Sequence, residues 1–165
     1  MYYEDYFEIG TIKKVSFIEK KDIKLFLEYT FKDNQYTSKN IINVHPRWSI
    51  ISGYYAMHDI SKLFLLEEYD IQFTKPSVHD AVIKALKKLI RKKDIIHLIE
   101  DADKEFKKVQ KLDYFLSKGK EHREKTQYYT MLSFDEKQIQ EIAEEFNANI
   151  VEPYIKLIKR LLEEK

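Results

Sequence analysis

The chain has no cysteine among its 165 residues, which removes disulfides, thiolate metal sites and cysteine nucleophiles together. Glycine and proline are almost as scarce, at three each. A multistranded β protein needs far more of that turn punctuation, so a few long helices with few connections are expected. No run approaches the roughly 18 consecutive apolar residues of a transmembrane helix, and no membrane span is expected. The opening residues, MYYEDYFEIG, lack the basic-then-apolar order of a signal peptide. These absences lead to the expectation of a cytoplasmic protein. An excess of one charge is lacking as well, with 29 Lys and Arg against 28 Asp and Glu, a formal +1. General nucleic-acid binders are usually far more basic, because phosphate neutralisation supplies most non-specific affinity. Any anionic ligand must therefore meet a local patch. KKLIRKK (87–93) and KGKEHREK (118–125) are such patches, whereas EEYD (67–70) and the last residues are acidic.

What is present is a globular composition, 44% hydrophobic and 35% charged, over a length that suits one domain, residues 1–165. Residues 9–21 read as an extended or partly helical lead-in, and 22–164 as a helical bundle. From Asp22, an N-cap type, Ile23, Phe26, Leu27, Thr30 and Phe31 make one helix face, which polar KDNQYTSKN (32–40) should end. Residues 46–69 are apolar nearly all round and open with Pro46. Such a helix is either surrounded by other helices or lies in a subunit interface, and a homodimer through 46–69 is expected.

DIQFTKPS (70–77) is a connection, and Ser77 with Asp80 resembles a capping box. A clean amphipathic helix follows from Val78 to Ile90. RKKD (91–94) breaks the pattern before a helix carrying Ile95, Leu98, Ile99, Ala102, Phe106, Val109, Leu112 and Phe115. SFDE (133–136) offers a second capping box. Behind it, Ile139, Ile142, Ala143, Phe146, Ile150, Tyr154, Leu157, Ile158 and Leu161 give a last helix that Pro153 should kink. The fold class is all-α, an up-and-down bundle of four to five helices.

Metal chemistry is disfavoured, because H-E-x-x-H, EF-hand and paired Glu-x-x-His patterns are all missing. Gly-rich phosphate loops and G-x-S-x-G elbows are missing too, and no cofactor is expected. Tyr54 to Met57 (YYAM), the run Leu63 to Leu66, His79 opening the third helix, and Arg123 ahead of Tyr128 occur in an informative order. In that order and spacing, over roughly residues 9–162, the chain resembles a HEPN domain, the small stand-alone archaeal and bacterial kind. The resemblance implies a helical homodimer, often encoded beside a minimal nucleotidyltransferase, as part of a toxin–antitoxin or nucleotidyltransferase pair. It also implies that an active ribonuclease would carry Arg, four to six residues, then His. The Arg would stabilise a pentavalent phosphate and the His would move a proton. Here Arg123 is followed by Glu, Lys, Thr, Gln, Tyr128 and Tyr129. A tyrosine with an ordinary pKa near 10 is a poor base at neutral pH, so the ribonuclease motif is degenerate.

The expected function is therefore nucleotide or RNA binding by Arg123, Lys120, Lys125 and His79, with Tyr128 stacking. If the protein is an enzyme, it is a metal-independent endoribonuclease whose base is displaced to His122 or His97. A purely structural scaffold is the third reading. Arg91-x5-His97 matches the motif formally but spans the break between two helices. Asp59 shares a face of the central helix with Ser52, one turn from Lys62, and its polar stripe must find partners in the bundle, across a dimer or in a cleft opposite Arg123.

Overall fold

A computed structural model describes residues 1–121 and 136–164, with side chains described for 1–110 and 138–164. It is an all-α bundle with one small two-stranded sheet. After a single turn, α1 (Asp5–Glu8), strand β1 (Ile12–Lys14) leads into α2 (Phe17–Asn40). Helix α2 starts five residues before the expected Asp22. Its true signal is a capping box, in which the Glu19 carboxylate accepts from the Ser16 backbone N–H at 3.0 Å and the Glu19 N–H donates back to the Ser16 hydroxyl. The expected stop at 32–40 is also corrected, because those polar residues find partners inside the bundle. Asn34 donates to Asp59, and the carbonyl of buried Ser38 accepts from the Ser49 hydroxyl.

Helix α3 (Pro46–Tyr69) is the centre, with α2 along its length. Two further helices, α4 (Val78–Leu89) and α5 (Lys93–Glu121), pack on it from another side. The last limb comprises α6 (Glu136–Phe146), a π turn (Asn147–Val151) and α7 (Glu152–Glu163), and it also packs on α3. Of the two roles the sequence leaves open for residues 46–69, the chain itself fills the first, since fifteen of them are buried without any partner subunit. Gly53 makes the contact with the last limb possible. A Cβ there would lie 2.9 Å from Val151 Cγ2 and 3.3 Å from the Phe146 ring.

Strand β2 (Ile71–Phe73) pairs antiparallel with β1, Ile12 opposite Phe73 and Lys14 opposite Ile71. Three residues are too few for an alternation to show in the sequence, where the first segment reads as an extended or partly helical lead-in and the second as a connection. The expected Ser77 capping box does not form. Ser77 adopts a left-handed φ of 58° and makes no cap, while Asp80 accepts from the Tyr6 hydroxyl instead. Asp70, at the end of α3, and Arg91, between α4 and α5, are left-handed too. The break expected at 91–94 is where the chain turns.

The last limb departs from a straight helix. The π turn adds a residue to the helical cycle and rotates the face that follows. Val151 and Ile155 are therefore buried, while Ile150 and Leu157, expected in the core, are only half-buried; Ile142, ahead of the turn and also expected in the core, is exposed. Pro153 falls in the first turn of α7, so the chain accommodates its missing N–H through the π turn ahead of it. The expected cap at Ser133 lies outside the described residues.

Candidate functional site

Among the described residues, two openings beside α3 bring polar side chains together. The smaller is a cleft of about 190 Å³ where α3, α4 and α5 meet, lined by Tyr54, His79, Asp80, Asp103, Phe106 and Lys107 among others. His79 reaches it from the first turn of α4 and Asp103 from α5. The Tyr54 hydroxyl donates to Asp103 Oδ1 at 3.0 Å and lies 3.3 Å from His79 Nδ1. A phenol has one proton, and this one goes to the carboxylate. His79 must then donate from Nδ1, which leaves Nε2 with its lone pair. Lys107 holds the other oxygen of Asp103 at 2.6 Å. The Phe106 ring stacks on Tyr54 with centroids 4.0 Å apart and forms the apolar wall.

Behind His79 lies His58, wholly buried, its ring stacked on that of His79 at 4.5 Å. Neither His58 nitrogen has a hydrogen-bond partner among the described residues. Burial holds both imidazoles below their ordinary pKa. For His58 the neighbouring His79 and Lys62 add to this, and for His79 the Lys62 charge adds while Asp103 and Asp59 partly offset it. Both rings are neutral at pH 7. Burial pushes the Tyr54 phenol upward, helped by Asp103, so it stays protonated. The cleft thus holds a neutral imidazole whose Nε2 keeps its lone pair, beside two carboxylates and one ammonium. That set suits a ligand with hydroxyl or amino groups to donate. It does not suit an isolated phosphate.

The larger opening, about 550 Å³, runs between α2, α3 and β2. Ile23, Phe26, Leu27 and Phe73 make it mostly apolar, and Asp59 and Lys62 stand within it. Asp59 is buried and accepts from Asn34 at 3.0 Å and Lys62 at 3.1 Å. Its polar stripe thus finds partners inside the bundle, and Ser52 is buried as well.

The structure therefore separates the two described site candidates. His79 lines one opening and Asp59 the other, with His58 between them on α3. Arg123, Lys125, Tyr128 and His122 lie outside the described residues, so the expected cleft of Asp59 opposite Arg123 does too. Lys120 lies on α5, 17 residues beyond Asp103 and so roughly 25 Å away along the helix axis. His97 is exposed on α5, and Arg91 lies on the turn before it rather than on the same helix. Sequence reasoning missed His58, Asp103 and Lys107. Spacing puts Tyr54, His58 and Lys62 on one stripe of α3, and Asp103 with Lys107 on one stripe of α5, but it does not join the two stripes.

No group of three or more His, Asp or Glu that would hold a metal ion gathers among the described residues. No helix among them is long and apolar enough to cross a membrane. No family model, no curated protein and no solved structure matches this chain.

Proposed function

We propose that this chain is an RNA-binding helical bundle of the HEPN kind, without the complete ribonuclease motif. The cleft at Tyr54, His79 and Asp103 supports this reading. Its carboxylates accept from ribose hydroxyls or base amines, and Phe106 supplies an apolar wall for a ring. Phosphates then lie outside it, along the Lys104, Lys107 and Lys108 side of α5, and Lys120 belongs to a later turn of the same helix. The roughly 25 Å between Asp103 and Lys120 is too long for one nucleotide to bridge, which favours an RNA chain over a mononucleotide. A minimal nucleotidyltransferase is the protein partner that the HEPN resemblance implies.

The test is fluorescence anisotropy with a labelled single-stranded oligoribonucleotide and with labelled AMP, at several salt concentrations. Salt-sensitive binding of the oligomer is expected, weakened about tenfold by Asp103→Ala and again by Lys120→Ala. Equal affinity for AMP, or indifference to both substitutions, would overturn the reading. A metal-independent ribonuclease is the second reading, favoured by the unprotonated Nε2 of His79, held in one tautomer. Its signature is RNA cleavage that persists in EDTA and is lost in His79→Ala.

A further inference from the structure

Helix α2 turns a long apolar line away from the bundle. Ile18, Leu25, Tyr29 and Tyr36 are between 56 and 83% exposed. At 3.6 residues per turn they fall within about 20° of one line on the helix surface, roughly 27 Å long. Leu27, Phe31 and Ser38, on the opposite side, are buried. The exposed line follows an 11-residue repeat, with Ile18 and Tyr29, Leu25 and Tyr36 in equivalent places. The repeat carries charge as well. Lys21 and Lys32 border the line on one side, and Asp22 and Asp33 border it on the other. All four are exposed, and none forms an ion pair among the described residues. Elsewhere on the same helix, Lys20, Lys24 and Lys39 are all paired within the chain.

We infer that this face is a self-association surface, on which two copies of the chain pair through parallel α2 helices about a two-fold axis. The charges select both the occupant and its direction. A two-fold axis along the helices brings the lysine edge of one copy against the aspartate edge of the other. Lys21 then meets Asp22 of the second copy and Lys32 meets Asp33, and the two-fold repeats both pairs. An antiparallel two-fold would set lysine edge against lysine edge and aspartate edge against aspartate edge. A second copy thus completes the surface by itself, with each side chain on the central line facing its own equivalent. The four apolar side chains expose on the order of 500 Å² per copy, and the flanking lysine stems extend this toward the roughly 800 Å² of a standard interface. The surface is separate from the RNA-binding cleft, so it stands or falls independently of that reading. It also places self-association on α2 rather than on the enclosed central helix.

Sedimentation equilibrium of the full chain tests it, with Tyr29→Glu and the Lys21→Glu/Lys32→Glu double variant alongside. Both carry exposed substitutions, and circular dichroism with a urea melt verifies their fold. A dimer at micromolar concentration is expected, with its dissociation constant raised at least about tenfold in each variant. Because the chain has no cysteine, single Ile18→Cys and Tyr36→Cys chains report direction through a short bis-maleimide. Each should cross-link to itself. A monomeric wild type, a dimer unmoved by Tyr29→Glu, or linkage only in a mixture of the two cysteine chains would each overturn the proposal.

Discussion

Two buried polar clusters lean on α3, and they are finished differently. Toward α2 and the π turn, Asn147 donates to the Ser49 hydroxyl at 2.9 Å and to the Ala143 carbonyl at 3.0 Å, and Ser49 donates to the Ser38 carbonyl. Nearby, Ser61 donates to the Met57 carbonyl at 2.6 Å and meets the Tyr154 hydroxyl. The donors of this cluster all find acceptors, three of them backbone carbonyls, while Asn147 Oδ1 has no partner among the described residues. Gly53 leaves room for the last limb beside it. Toward α4 and α5, both His58 nitrogens are unpaired among the described residues and His79 faces an open cleft. A polar cluster whose donors are paired fixes helices in register. An unfinished one beside a cleft gives a ligand or a proton something to gain.

The largest break in that contrast should come on the paired side. Gly53→Val drives a branched side chain into Val151 and Phe146, and a loss of about 3 kcal/mol is expected in urea unfolding. Asn147→Ala leaves Ser49 short of a partner and opens a small void, for about 2 kcal/mol in the same experiment.

Acid sharpens the other side. The folded pKa of His58 lies below its unfolded value near 6.5, so the unfolded chain takes up the proton first. Stability is therefore whole above about pH 6.5 and falls below it. The loss is at most about 1.4 kcal/mol for His58 by pH 5.5, with a smaller share from the less buried His79. Urea midpoints at pH 7.5 and 5.5 measure the slope. The smallest effect has the opposite sign. His58→Phe removes two nitrogens that are unpaired among the described residues, so it should raise stability at pH 7 by about 1 kcal/mol and flatten the acid slope. A loss instead would mean that His58 is partnered, and the distinction between the clusters would collapse.

The helices were legible because burial imposes a 3.6-residue rhythm that survives without structure, as at Val78 to Leu89. Three things were not. A one-residue π insertion leaves no mark on composition, so Val151 and Ile155 replaced Ile150 and Leu157 in the core. The Ser16–Glu19 box precedes any apolar periodicity and was hidden by the lead-in that surrounds it. Phe26, placed in the core by its spacing, is exposed, because the face of α2 that packs on α3 is centred on Leu27, Phe31 and Ser38. Of the candidate site, His79 was readable as a residue in the first turn of a helix. Its partners Tyr54 and Asp103 come from helices distant in sequence, which no spacing rule joins.

Asp70, Ser77 and Arg91 occupy backbone positions that normally favour glycine. Each side chain costs about 1 kcal/mol that glycine would avoid, set against the larger freedom glycine gives the unfolded chain. The scarcity of glycine that first marked this sequence as helical therefore leaves unclaimed resilience at its corners. An engineer wanting a hardier protein could start at those three bends and leave the core, the cleft and the outer face of α2 untouched.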